Sequence, residues 1–224
     1  MISIVLPVQD QAGHIGRILE SYLSALEEVG EFELIPVLNA STDASEAIIR
    51  ALAERDPRVR PQATPERGWG RAVRLGLAAA RGEVLCYTNS ARTHADDLAL
   101  MIRRHCDEPS AVVKATRVVR ENLPRRLGSA SYNLECRLLF GLTVCDVNGT
   151  PKVFRRELLD RFGLADNGDC LDLELLAKCR RHGVPVVEVP ITATQRHGGV
   201  SSTKIRTALG LWTGALKLRL RRDP

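Results

Sequence analysis

Residues 2–43 read ISIVLPVQDQAGHIGRILESYLSALEEVGEFELIPVLNASTD, and their patterning decides the fold. Ile2 to Val8 is a short apolar run containing Pro7, the length of a buried strand. Ile15, Ile18, Leu19, Tyr22, Leu23 and Leu26 follow at helical spacing, so they share one helix face. Phe32 to Leu38 reads as a second strand. Ser41-Thr42-Asp43 then offers N-caps for a helix through Ile48, Ile49 and Leu52.

The alternation continues outward. Arg67-Gly68-Trp69-Gly70 is a loop opening another helix, Glu83 to Thr88 a strand, Ala95 to Arg104 a helix, and Ala111 to Thr116 a strand. Beyond these come a helix within Asn122 to Leu142, a Gly- and Pro-bearing loop into a strand over Asp146 to Phe154, a helix from Asp172 to His182 and a strand from Val186 to Val189. Strands alternating with helices predict an α/β fold, a mainly parallel sheet with helices on both faces. Ligands of such sheets bind at the carboxyl ends of the strands. That directs attention to Pro7–Gln11, Asn39–Asp43, Asn89–Arg92 and Arg117.

Composition narrows the function. The 224 residues are 44% hydrophobic and 26% charged, which excludes wholesale disorder. Aromatics are only 4%, which counts against a base-stacking nucleic-acid platform. No run of apolar residues is long enough to span a bilayer, and MISIVLPVQD lacks a basic leader segment, so neither a membrane span nor a signal peptide is expected. The net charge of +5 is unevenly placed: after Glu188 no acidic residue appears until Asp223, while seven Lys and Arg fall between. A basic end on a near-neutral body predicts a polyanionic partner. The six cysteines form no C-x-x-C pair and are read as reduced, cytosolic core thiols.

Common nucleotide and hydrolase signatures are missing. No G-x-G-x-x-G follows the first strand, and neither a G-x-x-x-x-G-K-[ST] loop nor a G-x-S-x-G elbow occurs.

The loops instead resemble those of a known family. Ile2-Ser3-Ile4-Val5-Leu6-Pro7-Val8, then Ser41-Thr42-Asp43, then Arg67-Gly68-x-Gly70 and the helix leading to Ala79-Ala80-Arg81-Gly82-Glu83-Val84 resemble family 2 glycosyltransferases of GT-A fold. Within that family they are similar to the branch of dolichol-phosphate mannose synthase and bacterial polyprenyl-phosphate sugar transferases. Asp146-x-Asn148-x-x-Pro151-Lys152-x-Phe154 resembles that branch's acceptor-side loop. Leu171-Asp172-Leu173-Glu174 followed by Val187-Glu188-Val189-Pro190-Ile191 resembles its later helix and strand. The resemblance spans 1–204, with a basic amphipathic helix over 205–224.

Two departures matter. Where the family carries Val-Asp-Asp-Gly-Ser-Thr-Asp, this chain has Val37-Leu38-Asn39-Ala40-Ser41-Thr42-Asp43, so Asn39 stands at the nucleobase position. An amide still pairs with a base edge. The family's Asp-x-Asp, whose carboxylates hold a divalent cation, is here Asn89-Ser90-Ala91. Ala91 has no donor atom and Asn89 is a weak neutral ligand, whereas Mg²⁺ and Mn²⁺ favour carboxylates. No cofactor is therefore assigned; a role for Mg²⁺ or Mn²⁺ stays open without the usual ligands. Arg92, Arg117, Arg125, Arg126, Lys152, Arg196 and Lys204 are candidate cations for a departing diphosphate.

The resemblance implies transfer of a sugar from a nucleoside-diphosphate-sugar to a phospholipid-linked acceptor, by a cytoplasmic protein peripheral to the inner membrane face. Pro7, Val8, Asp10, Asn39, Asp43, Arg67, Gly68, Ser90 and Arg92 are expected around the nucleotide-sugar. Asn89, Arg117, Asp146, Lys152 and Asp172 are expected around the reacting groups, and Arg196 and Lys204 at phosphate or acceptor. Asp172 is the candidate base for a hydroxyl acceptor. A polyprenyl phosphate, already ionised, needs none. The alternatives are a non-catalytic relative binding a nucleotide-sugar or protein partner and, more weakly, a nucleic-acid binder built on the basic tail; no nucleic-acid partner is expected. Three structural readings stay open. Asp43 caps a helix or faces nucleotide. Trp69 packs a loop or a sugar. The stripe Ile205, Leu209, Trp212, Leu216 and Leu220 docks on its own domain, on lipid or on a partner subunit.

Overall fold

A computed structural model describes residues 1–117, 123–191 and 205–220. In chain order the elements are β1 (Ile2–Val8), α1 (Ile15–Leu26), β2 (Phe32–Asn39), α2 (Ser45–Arg55), β3 (Gln62–Thr64), α3 (Trp69–Ala79), β4 (Val84–Tyr87) and α4 (Ala95–Asp107). Then follow β5 (Val112–Arg117), α5 (Leu123–Phe140), β6 (Lys152–Arg155), α6 (Arg156–Phe162), α7 (Leu171–Arg181), β7 (Val186–Ile191) and α8 (Ile205–Leu220).

The strands form one seven-stranded sheet in the order β3-β2-β1-β4-β6-β5-β7. All pairs are parallel except those of β6, which runs antiparallel to both β4 and β5. The chain moves outward from β1 to β2 and β3, then returns to place β4 on the other side of β1. At that reversal the connections leave β1 and β4 in opposite directions, which opens a crevice at their carboxyl ends.

The two-faced burial of β1 and β2 explains their unbroken apolar runs. Ile4, Leu6, Val8, Leu34 and Leu38 face the layer of α1, α2 and α4. Val5, Ile35 and Val37 face α3, α6 and α7. The six residues of the predicted α1 stripe are all buried. At Gly76 of α3 an added Cβ would lie 2.3 Å from Val5 Cγ1, so its lack of a side chain lets the helix rest on the sheet. A third cluster joins Tyr132 and Cys136 of α5, Leu173 and Leu176 of α7, and Ala215 of α8.

The structure turns α8 differently from the docked reading of its stripe. Ala215 is buried, with Leu211 and Leu218 packed beside it against the third cluster. Trp212, Leu216 and Leu220 of the predicted stripe are exposed. The helix docks through its other face because that face carries the small Ala215, and Gly214 lies against Cys170, where a Cβ would come within 2.5 Å of Sγ. The side chains of Ile205 and Leu209 lie outside the described residues.

Candidate active site

The loops leaving β1 and β2 are fastened to each other by reciprocal carboxylates. Asp10 Oδ1 accepts the Thr42 amide at 2.8 Å, and Asp43 Oδ2 accepts the Ala12 amide at 2.8 Å. Asp43 Oδ1 also accepts the Ser45 amide at 3.0 Å, which ties up the start of α2. Ser45 Oγ accepts the Gln11 amide, and Ser41 Oγ donates to the Val8 carbonyl. Asp10 and Ala40 sit at the two strand exits with φ of +49° and +50°, a left-handed conformation that non-glycine residues rarely take. The strain is concentrated where the sheet presents its ligand edge.

Asn39 ends β2, buried, and its Oδ1 accepts the Gly68 amide at 3.0 Å. The side chain thus fixes the loop that opens α3 and leaves its NH₂ for a ligand. Gly68 and Gly70 let this loop approach 166–168 closely: an added Cβ would meet Asn167 O at 2.5 Å and Asp166 O at 2.3 Å. Arg67 extends from the same loop, largely exposed, with Nη2 3.8 Å from Asp10 Oδ2. Gln9 Oε1, in the amide orientation that satisfies its neighbours, accepts from Arg67 Nε and Nη1 at 3.3 Å.

The loop after β4 crosses the crevice toward β1. Ser90 is fully buried and its hydroxyl donates to Gln11 Oε1 at 3.0 Å and the Pro7 carbonyl at 3.3 Å. This corrects the expectation that Ser90 faces the nucleotide-sugar: its polarity is consumed in joining the two loops. Pro7 and Val8 contribute in the same way, through backbone carbonyls. Asn89 Oδ1 caps its own turn, accepting the Ala91 amide at 3.1 Å. Arg92 follows, half-buried.

Lys152 and Asp172 form a buried ion pair. Lys152 Nζ also donates to the Val147 and Gly149 carbonyls at 3.0 and 2.8 Å. Asp172 accepts from Tyr87 Oη at 2.9 Å and Trp69 Nε1 at 3.1 Å. Burial lowers the Lys152 pKa, against the pull of Asp172. Burial, then Asp172, pushes the Tyr87 phenol well up. These positions correct two expectations. Lys152 presents no charge to a phosphate, because β6 carries it between β4 and β5 into the sheet interior. Asp172 is no exposed base, because three donors hold it beneath the site. Trp69 packs the loop, edge-on to Tyr87.

Asp146 and Arg117 close the neighbouring edge. Nε meets Oδ2 at 2.8 Å and Nη2 meets Oδ1 at 2.9 Å. Burial alone would lower the Arg117 pKa; the bonds and charge of Asp146 outweigh it and raise it. Deeper along β5, buried Lys114 pairs with Glu188 of β7 at 2.7 Å, and Glu188 also accepts the Cys145 amide.

The structure therefore brings Pro7, Val8, Asp10, Asn39, Asp43, Arg67, Gly68, Asn89, Ser90 and Arg92 to one sheet edge, with Arg117 and Asp146 at the end of the nearby β5. Arg196 and Lys204 lie outside the described residues, as do the side chains of Arg125 and Arg126. Gln11, which closes the strand-end segment marked from sequence, holds the site together with Ser45 and Tyr87, to which the sequence assigned no role. Tyr87 was legible as a strand end, but nothing local marks its partner 85 residues away.

The cation implied by the GT-A resemblance does not fit these residues. Ala91 and Ser90 are turned inward, and Asn89 is occupied by its own turn. Asp43, Asp146 and Asp172 are each committed to internal donors, and Asp10 to Thr42. Among the described residues no three His, Cys, Asp or Glu side chains converge as a metal site.

The family Glycosyl transferase family 2 matches residues 3–163. A polyprenol monophosphomannose synthase of Mycolicibacterium smegmatis is 28% identical over 223 residues, covering 92% of this chain and 83% of the relative. A dolichyl-phosphate hexose transferase of Haloferax volcanii is 26% identical, covering 88% and 84%. Among solved structures, glucosyl-3-phosphoglycerate synthase from Mycobacterium tuberculosis, in complex with Mn²⁺, UDP and glucosyl-3-phosphoglycerate, has a TM-score of 0.76 at 19% identity over 98% of this chain and 79% of that one. That likeness fixes the GT-A fold. With the family matched across most of the strand-and-helix core that builds the crevice, the chain belongs to glycosyl transferase family 2.

Proposed function

We propose that this chain moves a sugar from a nucleoside-diphosphate-sugar to a polyprenyl phosphate-like lipid while resting on the cytoplasmic face of a membrane. The observation that carries the lipid half is the outward apolar surface of α5 and α8. Among the described residues eight large hydrophobic side chains are exposed, and six of them lie on these two packed helices: Leu127, Leu134, Leu138, Trp212, Leu216 and Leu220, from 39% exposed at Trp212 to 78% at Leu138. Lys217 and Arg219 lie in the last turn of α8. Apolar side chains beside cations suit an anionic lipid surface. No described helix is long and apolar enough to cross a membrane, so contact would be lateral. The relatives' named acceptors, polyprenol and dolichyl phosphates, support the same reading.

Chemically, an acceptor phosphate oxygen attacks the anomeric carbon, and the bond to the diphosphate breaks with the electron pair leaving on the nucleoside diphosphate. No proton must move, which agrees with Asp172 being buried and paired. Asn39 and the backbone of the Arg67-Gly68 loop would hold the nucleoside, with the side chains of Arg67, Arg92 and Arg117 toward the phosphates. The test is incubation with a panel of nucleotide-sugars and vesicles containing polyprenyl phosphate. Sugar label should pass into the lipid extract with one donor; label confined to water for every donor contradicts the reading.

A further inference from the structure

We propose that this chain grips the diphosphate of its donor with arginine side chains and without a divalent cation. The inference rests on the nucleotide-sugar reading above. It starts from a disagreement between this chain and a solved relative of the same fold, which carries Mn²⁺ together with UDP. A cation at the crevice needs at least one oxygen anion turned toward the ligand. The turn after β4 supplies none. Asn89 Oδ1 is bonded to the Ala91 amide, the Ser90 hydroxyl points inward to Gln11 and Pro7, and Ala91 is buried. On the facing loops Asp10 and Asp43 accept backbone amides across the two strand exits. Freeing either would unfasten the loops that form the crevice.

Two arginines stand on loops that open at this same sheet edge. Arg92 follows the altered turn directly and is half-buried. Arg67, on the loop opening α3, is 62% exposed and lies 3.8 Å from Asp10, a loose contact that a phosphate oxygen can displace. A planar guanidinium binds phosphate oxygens in pairs and remains charged at any working pH. Two such groups, on the loops after β3 and β4, would supply at one sheet edge the charge that one divalent ion would otherwise bring.

The test is equilibrium binding of UDP and GDP to the whole chain, in EDTA and in excess Mn²⁺ or Mg²⁺. The better-bound nucleotide is expected to show affinities within about twofold across these conditions, and Mn²⁺ alone should leave the melting temperature unchanged. Arg67→Gln and Arg92→Gln should each weaken binding in EDTA by about tenfold, with melting confirming a folded protein. Arg67 is exposed, so its variant keeps the test decisive if Arg92→Gln does not fold. Binding that appears only with Mn²⁺ or Mg²⁺ overturns the cation-free grip while leaving the donor reading intact. Absence of binding under every condition overturns both.

Discussion

Arg117 and Asp146 meet prong to prong, at 2.8 and 2.9 Å, joining the end of β5 to the loop that precedes β6. Asp146 is buried while Arg117 keeps a partly open side. The carboxylate thus sets the direction of a guanidinium at the ligand edge. Asp146→Asn removes the charge and one acceptor but keeps the shape. Stability should fall by about 2–3 kcal/mol, read by urea denaturation, because the guanidinium loses its counter-charge in a half-buried place. Sugar transfer should fall further than stability explains.

The outward leucines predict reversible membrane binding. Leu138→Ser and Leu216→Ser should each weaken co-sedimentation with anionic vesicles by about tenfold, since one buried leucine contributes about 1.5–3 kcal/mol. The melting temperature should stay nearly constant, because these side chains face outward. Neutral vesicles should bind less than anionic ones, and added salt should narrow that difference.

Acid should loosen the fold in a definite window. Glu33 is buried; burial alone would raise its pKa, but the Ser3 hydroxyl, Arg60 and the Arg81 amide together lower it below its ordinary 4.5. Glu188 behaves likewise through Lys114 and Thr116. Such groups bind fewer protons folded than unfolded, so their stabilisation is full above about pH 4.5 and is lost as pH falls through the folded values. Glu33→Gln should flatten the stability curve below that point, as followed by denaturation at stepped pH.

Gly70 gives a steric prediction. Its amide donates to Gly168 O at 2.8 Å, and an added Cβ would lie 2.3 Å from Asp166 O. Gly70→Ala should cost about 1–3 kcal/mol. The displaced 166–168 loop should also disturb nucleotide affinity through the neighbouring Asn39–Gly68 contact.

The sheet and its ligand edge were legible because their signals are local. The β1 and β2 runs, the α1 stripe and the glycines at 68 and 70 each announce their structure within a few residues. Asn39 and Asp43 followed from strand ends, while Arg67 was marked by the family resemblance of its glycine-bearing loop. What sequence could not show was pairing across distance. Lys152 beside Pro151 looks like a surface cation until the antiparallel entry of β6 carries it beneath Tyr87, opposite Asp172. Ser90 looks available until Gln11 is found across the crevice. The α8 stripe was visible as a pattern, but which face docks depends on the small Ala215 meeting α5 and α7.

The most direct measurement offers the protein, mixed with vesicles, polyprenyl phosphate and unphosphorylated polyprenol, each with the donor it accepts. A nucleophile that brings its own negative charge, to a site whose Asp172 is already paired, should give glycolipid from the phosphate alone. Comparable turnover of the free alcohol would contradict the account, since it would require an available base in place of that buried carboxylate.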